Sequence, residues 1–232
     1  KAPITFTAPV WIRQVVAIPD PPEQLLAGRR LHSIRHRITR AQKEGFSYHF
    51  SRAKADFEYF YYRMYLPFIQ ARHGELALIA PYRDQWQRWF KKGGLVMVTE
   101  HGQPVAGSIC YVAGNTCYSV EGGVVDNDPH LMQRGVNALL DWYAILWGHG
   151  QGAKMFNMGS THAWLSDGVF NYKQRWRSQV IRQQMIHSNW TFLARRLVQP
   201  GAAAAAVRRE ARRHRRRRRS LFLHSRRLPD VH

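Results

Sequence analysis

The chain has 232 residues, of which 45% are hydrophobic and 12% aromatic, so it can bury a full core and general disorder is excluded. Lys and Arg number 35 against 15 Asp and Glu, and the net charge of +20 predicts affinity for polyanions. No apolar run approaches the ~18 residues that cross a bilayer, and the first residues lack the pattern of a signal peptide. We therefore expect a soluble, cytoplasmic protein.

The first 93 residues read as alternating strands and helices. Five prolines surround the apolar run 10–18, which predicts one strand followed by an extended connection up to residue 28. Apolar residues then recur at helical spacing from Arg29 to Gly45, with basic residues between them. Residues 46–52 alternate like a short strand, and helical spacing returns at 56–65 and 82–93. We expect Pro67 to end or bend the first of these helices.

The next hundred residues contain the clearest signals. Three strand-like runs at 95–100, 104–113 and 117–125 are separated by turn residues and predict an antiparallel meander. A polar loop at 126–134 precedes a strongly amphipathic helix from Val136 to Trp147, then a strand at 154–159, a short helix and a closing strand within 178–188. This order predicts an α/β (α+β) protein with a mixed, mostly antiparallel sheet flanked by helices.

Cys110 and Cys117 lie on either side of a predicted hairpin that turns at Gly114-Asn115. A two-residue loop would make them diagonal neighbours about 7–8 Å apart, which is too far for an unstrained disulfide. Two free thiols are typical of a reducing compartment.

The C-terminal segment differs in composition from the rest. Residues 191–198 have helical spacing, an alanine run follows, and residues 208–219 hold nine Arg and one Glu, which is +8 of the total charge. We divide the chain into residues 1–28, a domain at 29–190, and a helix with a low-complexity basic tail at 191–232. The tail should be disordered alone and can bind nucleic acid or anionic membrane, or it can reflect GC-rich coding sequence without any binding role.

Four stretches in order, "RHRITRAQKEG", "HGQPVAGSI", "GVNALLDWYAILWGHGQGAKMFNMGST" and "SDGVFNYKQRW", resemble the Fem-type (FemAB-like) branch of the GNAT acyltransferase superfamily across about residues 29–187. The resemblance implies a GNAT-like fold and transfer of an acyl group from acetyl-CoA or another acyl-CoA to an amine. It also leaves open a Fem-type transfer from aminoacyl-tRNA to a peptidoglycan precursor in cell-wall peptide synthesis. Because the branch often carries two GNAT-like halves, residues 1–28 can be the remnant of a first half.

The resemblance also implies site residues. An aromatic-lysine pair near the donor's reacting carbonyl corresponds to Tyr172 and Lys173, and Lys173 would stabilise the oxyanion of the intermediate. The alternative is a lysine whose stem only covers apolar surface. The diphosphate site at the start of the long helix corresponds to Gln133, Arg134 and Gly135, although Gly135 can simply begin the helix.

Three further residues are candidates. Glu121 ends a predicted strand and is the best carboxylate for a general base or for holding the amine, unless it is merely solvated. His162 and Asp167 flank the loop before Tyr172 and can orient an acceptor amine or a water, or be structural. No His, Cys or carboxylate cluster has metal-ligand spacing, so we expect no metal. A nucleic-acid-binding protein on a degenerate acyltransferase fold is the alternative from another class.

Overall fold

A computed structural model of the chain describes residues 4–74, 79–182 and 189–194. Its strands are β1 (Ile4–Pro9), β2 (Trp11–Ala17), β3 (Phe46–Ser51), β4 (Gly94–Glu100), β5 (Gln103–Ala113), β6 (Thr116–Val124), β7 (Met155–His162), β8 (Gln179–Arg182) and β9 (Asn189–Ala194). β1 pairs with β9, and the other strands form one sheet in the order β3-β4-β5-β6-β7-β2-β8. The predicted mixed and mostly antiparallel sheet is confirmed.

Helices cover both faces of the seven-stranded sheet. They are α1 (His32–Lys43), α2 (Lys54–Tyr59), a π-helix (Phe60–Tyr65), α3 (Leu66–His73), α4 (Tyr82–Arg88), α5 (Pro129–Gln133), α6 (Val136–Gly150) and α7 (Gly168–Arg175). α6 packs on β4, β5 and β6, and the π-helix packs on β5 and β6. Each face of the sheet has its own hydrophobic core, and the side chains of β4 alternate between them. Val96 and Val98 pack with α6 and α1, whereas Leu95 and Met97 pack with the π-helix.

The meander β4-β5-β6 follows the predicted register. Val112 faces Cys117 and Ala113 faces Thr116, so the hairpin turns on two residues as expected. Cys110 and Cys117 are buried and free. The ladder is irregular at one point, because Ile109 pairs with Glu121 while Cys110 pairs with Ser119. This β-bulge increases the local twist of β5 and β6.

β6 and β7 are the parallel neighbours in this sheet, and they pair only briefly. Thr116, Cys117 and Tyr118 face Met155, Phe156 and Asn157, and no further pairs join the two strands. Beyond them β6 pairs with β5 and β7 pairs with β2. A wedge-shaped opening therefore separates the carboxyl-terminal ends of β6 and β7.

Two local predictions need correction. Pro67 does not end the helix, one of the two outcomes predicted for it, because helical backbone continues past it to His73. The turns before it form the wider π-helix, so the backbone stays helical from α2 to α3. The expected polar loop at 126–134 contains α5, whose first backbone N–H groups are capped by the Asp128 side chain, 2.7 Å from His130 N.

The ends of the chain differ from expectation as well. Residues 191–194, predicted to be helical, belong to β9, because backbone pairing with β1 overrides their helical spacing. β2 lies between β7 and β8, so residues on both sides of the boundary drawn at 28 build one sheet. The predicted Arg-rich disordered tail lies outside the described residues, as does the closing strand beyond Arg182.

Gly123 lets the π-helix approach β6. A Cβ at this position would lie 2.7 Å from the Tyr65 backbone nitrogen and closer still to the Met64 carbonyl. Gly122, its neighbour in β6, faces the other way, toward Leu140 of α6. Gly123 therefore sets the distance between the π-helix and this face of the sheet.

We expect Gly123→Ala to destabilise the fold by ~1–3 kcal/mol, the range for forcing extra volume into a packed core. Gly150→Ala is the matched control, because nothing lies within 4 Å of a Cβ there. Urea unfolding of both variants measures the effect. Equal stability of the two variants would contradict the close packing at Gly123.

Candidate functional site

α7 is fixed at both ends by buried polar groups. The Asp167 carboxylate caps its first turn, accepting from Phe170 N at 2.8 Å and from the Thr161 hydroxyl at 3.1 Å. After its last turn, the Gln14 side-chain amide of β2 donates to the Ser178 hydroxyl at 3.0 Å. α7 is therefore anchored to β7 at its start and to β2 at its end.

Lys173 is held inside the protein by this helix. The residue is only 7% exposed, and its Nζ donates to the Ser160 carbonyl of β7 at 3.0 Å. Burial lowers the pKa of Lys173 to about 8, while the negative charges of Asp141 and Asp167 act against this change. Near neutral pH the Lys173 amine is therefore mostly protonated, and one of its N–H groups donates to the Ser160 carbonyl.

The neighbouring Tyr172 contacts α6. Its hydroxyl donates to the Asp141 carboxylate at 2.5 Å, and burial raises the pKa of Asp141 to about 6. Burial and the Asp141 charge together hold the pKa of Tyr172 well above its usual value. Sequence reasoning missed Asp141, although a lone carboxylate inside an apolar helix is a detectable signal. Tyr172 and Asp141 place α7 on the α6 face of the sheet.

The Lys173 ammonium lies where β6 and β7 part. A Cβ on Gly159 would be 3.9 Å from Lys173 Nζ and 3.8 Å from the Ser119 carbonyl of β6. Gly159 has a φ of +77°, which favours glycine. The Lys173 ammonium, a cationic hydrogen-bond donor, is therefore held near the point where β6 and β7 stop pairing.

Glu121 reaches the same region from the other face. Gly122 faces α6 and Gly123 faces the π-helix, so alternation directs Glu121 to the π-helix face. Burial raises the pKa of Glu121 to about 7, and its carboxylate makes no hydrogen bond or ion pair with a described residue. Glu121 and Lys173 do not contact each other; they flank the opening from opposite sides of the sheet.

The three residues predicted to bind a diphosphate, Gln133, Arg134 and Gly135, differ from one another in their contacts. Arg134 pairs with Glu44 at 3.1 Å and Glu100 at 2.7 Å, so its charge is already compensated. Gln133 is exposed at the end of α5, and Gly135, with a φ of +90°, begins α6. The diphosphate role of all three stays a prediction, and for Arg134 it competes with two ion pairs.

Two arginines outside the predicted site residues interact electrostatically with Tyr172. The Arg37 side chain would be 3.4 Å from a Cβ on Gly135, and Arg37 is exposed and makes no ion pair with a described residue. Arg72 lies over the Phe68 ring, 4.0 Å from its centroid. The charges of both arginines act on Tyr172. No sequence signal separates Arg37 from the other basic residues of α1.

His162 and Asp167 lie close in sequence but have different contacts. His162 is exposed at the end of β7 and stacks on Trp11, with ring centroids 3.9 Å apart. Asp167 is committed to the α7 cap. Their predicted role in orienting a substrate amine is untested and stays a prediction.

Residues 4–74, 79–182 and 189–194 contain no group of three or more His, Cys, Asp or Glu side chains that could hold a metal ion. Within the same part of the chain, every helix is too short or too polar to cross a bilayer.

The raised pKa of Glu121 predicts a pH-dependent stability. Between its ordinary pKa of 4.5 and about 7, the folded protein retains a proton that the unfolded chain loses, so stability falls as pH rises through this window. We expect Glu121→Gln to be more stable than wild type at pH 8, by on the order of 2 kcal/mol, and the gain to vanish near pH 4.5. Urea unfolding from pH 4.5 to 8 measures it, with exposed Glu23→Gln as control. A gain that is the same at every pH would contradict the burial of Glu121.

Comparison with known proteins bears on the family. Residues 28–174 match the model of the Acetyltransferase (GNAT) domain family, and no curated protein matches the chain in sequence. The fold is similar to FemX, with a TM-score of 0.59 and 13% identity over 78% of this chain and 61% of FemX. It is also similar to L-PGS from Bacillus licheniformis, with a TM-score of 0.51 and 14% identity over 88% of this chain and 66% of that protein.

The chain spans less than two thirds of the length of either structure. At these identities the two likenesses concern the fold, whereas the sequence match covers more than half of the chain. The chain belongs to the acetyltransferase (GNAT) domain family.

Proposed function

We propose that the chain is an N-acyltransferase that moves an acyl group from acyl-CoA to an amine. The observation that carries the proposal is the pair of charged groups at the opening between β6 and β7. The Lys173 ammonium borders it on the α6 face, and the Glu121 carboxylate lies on the other face. Acyl transfer to an amine needs a stabiliser for the oxyanion and an acceptor for the proton, and these two groups supply both.

The donor would occupy the opening. Backbone groups of β6 and β7 that do not pair with each other can hydrogen-bond an extended chain, as an added strand does. The amides of the pantetheine arm of CoA offer suitable partners. Its phosphates would then lie toward the start of α6, where the helix dipole and Arg37 favour an anion.

The chemistry follows from this arrangement. Glu121 accepts a proton from the incoming ammonium, and the neutral amine attacks the thioester carbonyl. The carbonyl oxygen becomes an oxyanion that the Lys173 ammonium stabilises. The carbon–sulfur bond then breaks, the nitrogen loses its extra proton as the amide forms, and the CoA thiolate that leaves takes up that proton.

A second donor is supported by a specific observation. The fold is similar to FemX, and aminoacyl-tRNA carries its acyl group on an ester, which the same oxyanion stabiliser can serve. The basic charge near α6, including Arg37 and Arg72, suits either polyanion. The acceptor would be a small-molecule amine or, with aminoacyl-tRNA, a peptidoglycan precursor. Turnover assays with acetyl-CoA and with charged tRNA separate the two donors.

Replacing Lys173 tests the oxyanion role. We expect Lys173→Met to lower kcat at least ~100-fold, the cost of removing one oxyanion donor. Exposed Lys154→Met is the control and should keep wild-type turnover. Unchanged turnover together with a lower melting temperature would leave Lys173 a packing role only.

The pH dependence of kcat/KM is an independent test of the roles of Glu121 and Lys173. Wild-type kcat/KM should rise through about pH 7 as Glu121 loses its proton and fall above about pH 8 as Lys173 loses its own. The fall above pH 8 should be absent from the residual activity of Lys173→Met.

Replacing Arg37 tests the position of the donor phosphates. Arg37→Gln should raise the KM for acyl-CoA roughly tenfold, the scale of one lost hydrogen bond to a charged group, and leave kcat nearly unchanged. Arg83→Gln, in α4 on the π-helix side of the sheet, is the matched control. An equal KM in the two variants would argue against phosphates at the start of α6.

A further inference from the structure

The π-helix face holds a cluster of polar groups around Glu121 that no step above uses. The Tyr65 hydroxyl accepts from Ala80 N at 2.9 Å and also lies within hydrogen-bond reach of the Gln85 side chain. Tyr65 lies close enough to Glu121 and to the Gln85 amide for both to act on its pKa. Gln85 is fully buried, and its Oε1 has no hydrogen-bond partner. The Glu121 carboxylate and the unpaired Gln85 amide oxygen therefore both lie in the surroundings of the Tyr65 hydroxyl.

Among the residues that the structure describes, no cation pairs with Glu121. The chain has 35 Lys and Arg residues, yet burial is the one influence on the pKa of Glu121 among the described residues. Lys173 on the opposite face interacts with Asp141 and Asp167 instead. A half-buried carboxylate and a fully buried amide oxygen without donors cost free energy, and a ligand that donates several hydrogen bonds would recover it.

Aromatic rings pack in the same core on the π-helix side of the sheet. The Tyr61 and Tyr82 rings meet edge to face with centroids 5.2 Å apart, and Tyr82 meets Phe57 in the same way at 5.0 Å. The Tyr61 hydroxyl donates to the Ala80 carbonyl at 3.2 Å. Aromatic faces attract ammonium groups and also bury apolar carbon, whereas they offer nothing to a phosphate or carboxylate.

We propose that Glu121, Tyr65 and Gln85 form a binding site for the ammonium group of a primary amine that carries no acidic group beside its nitrogen. The inference rests on the proposed function in that this amine would be the acyl acceptor. Three ammonium protons match the three oxygen acceptors, and the aromatic rings fit an apolar stem. A carboxylate next to the amine, as in an amino acid, would meet Glu121 with no cation to compensate it.

Binding without any acyl donor tests the site. The probes are benzylamine, phenylalanine, which adds a carboxylate beside the amine, and benzyl alcohol, which has no charge; calorimetry at pH 8 keeps Glu121 ionised. We expect benzylamine to bind at least ~10-fold more tightly than either analogue, on the scale of hydrogen bonds to a charged group. Similar affinity for all three probes, or no benzylamine binding at millimolar concentration, would overturn the proposal.

Variants assign the binding to the named residues. Tyr65→Phe should weaken benzylamine binding several-fold and Glu121→Gln should abolish it, whereas Tyr62→Phe, a control in the same π-helix at a residue 57% exposed, should bind like wild type. Melting temperatures show whether each variant folds, and Glu121→Gln keeps the test valid if Tyr65→Phe does not. Unchanged affinity in folded Glu121→Gln would overturn the assignment.

The binding assay separates this inference from the proposed function. Selective benzylamine binding without acyl transfer from either donor would reject the proposed function and retain the ammonium site. Acyl transfer to phenylalanine in preference to benzylamine would retain the function and reject the site.

Discussion

Parallel pairing between β6 and β7 ends after three residue pairs, and the candidate site depends on this divergence. Both strands have irregular pairing on their outer sides: the β5–β6 ladder is bulged opposite Ile109 and Cys110, and the β2–β7 register shifts between Arg13 and Val15. Bulges bend strands and increase their twist. The two irregularities therefore account for strands that start as neighbours and then separate.

The two faces of the sheet differ in charge at this opening. On the α6 face, Lys173, Arg37 and Arg72 favour an anionic donor. On the π-helix face, Glu121 stands without a cation, and the close approach at Gly123 helps to keep it out of water. A donor with phosphates and an acceptor with an ammonium group would thus be drawn to opposite sides, and their reacting atoms would meet in the wedge.

The order of strands and helices between α1 and β8 apart from α5, the β5–β6 hairpin turn and the sheet type could be predicted from the sequence, because local periodicity and turn residues determine them. Lys173 was found by resemblance, and its burial follows from a helix that the sequence also predicts. The opening could not be predicted, since it depends on β2 joining the sheet beside β7. Arg37 meets Gly135 across nearly a hundred residues, and the face of Tyr65 depends on a π-helix that the period of 3.6 does not describe.

The central claim is that the acyl donor binds between β6 and β7, and hydrogen–deuterium exchange with saturating acetyl-CoA or aminoacyl-tRNA tests it most directly. We predict slower exchange in residues 119–124 and 157–162 and at the start of α6, with no change in β3 and β4, which lie at the other edge of the sheet. Protection confined to other parts of the chain, or no protection with either donor, would contradict the account.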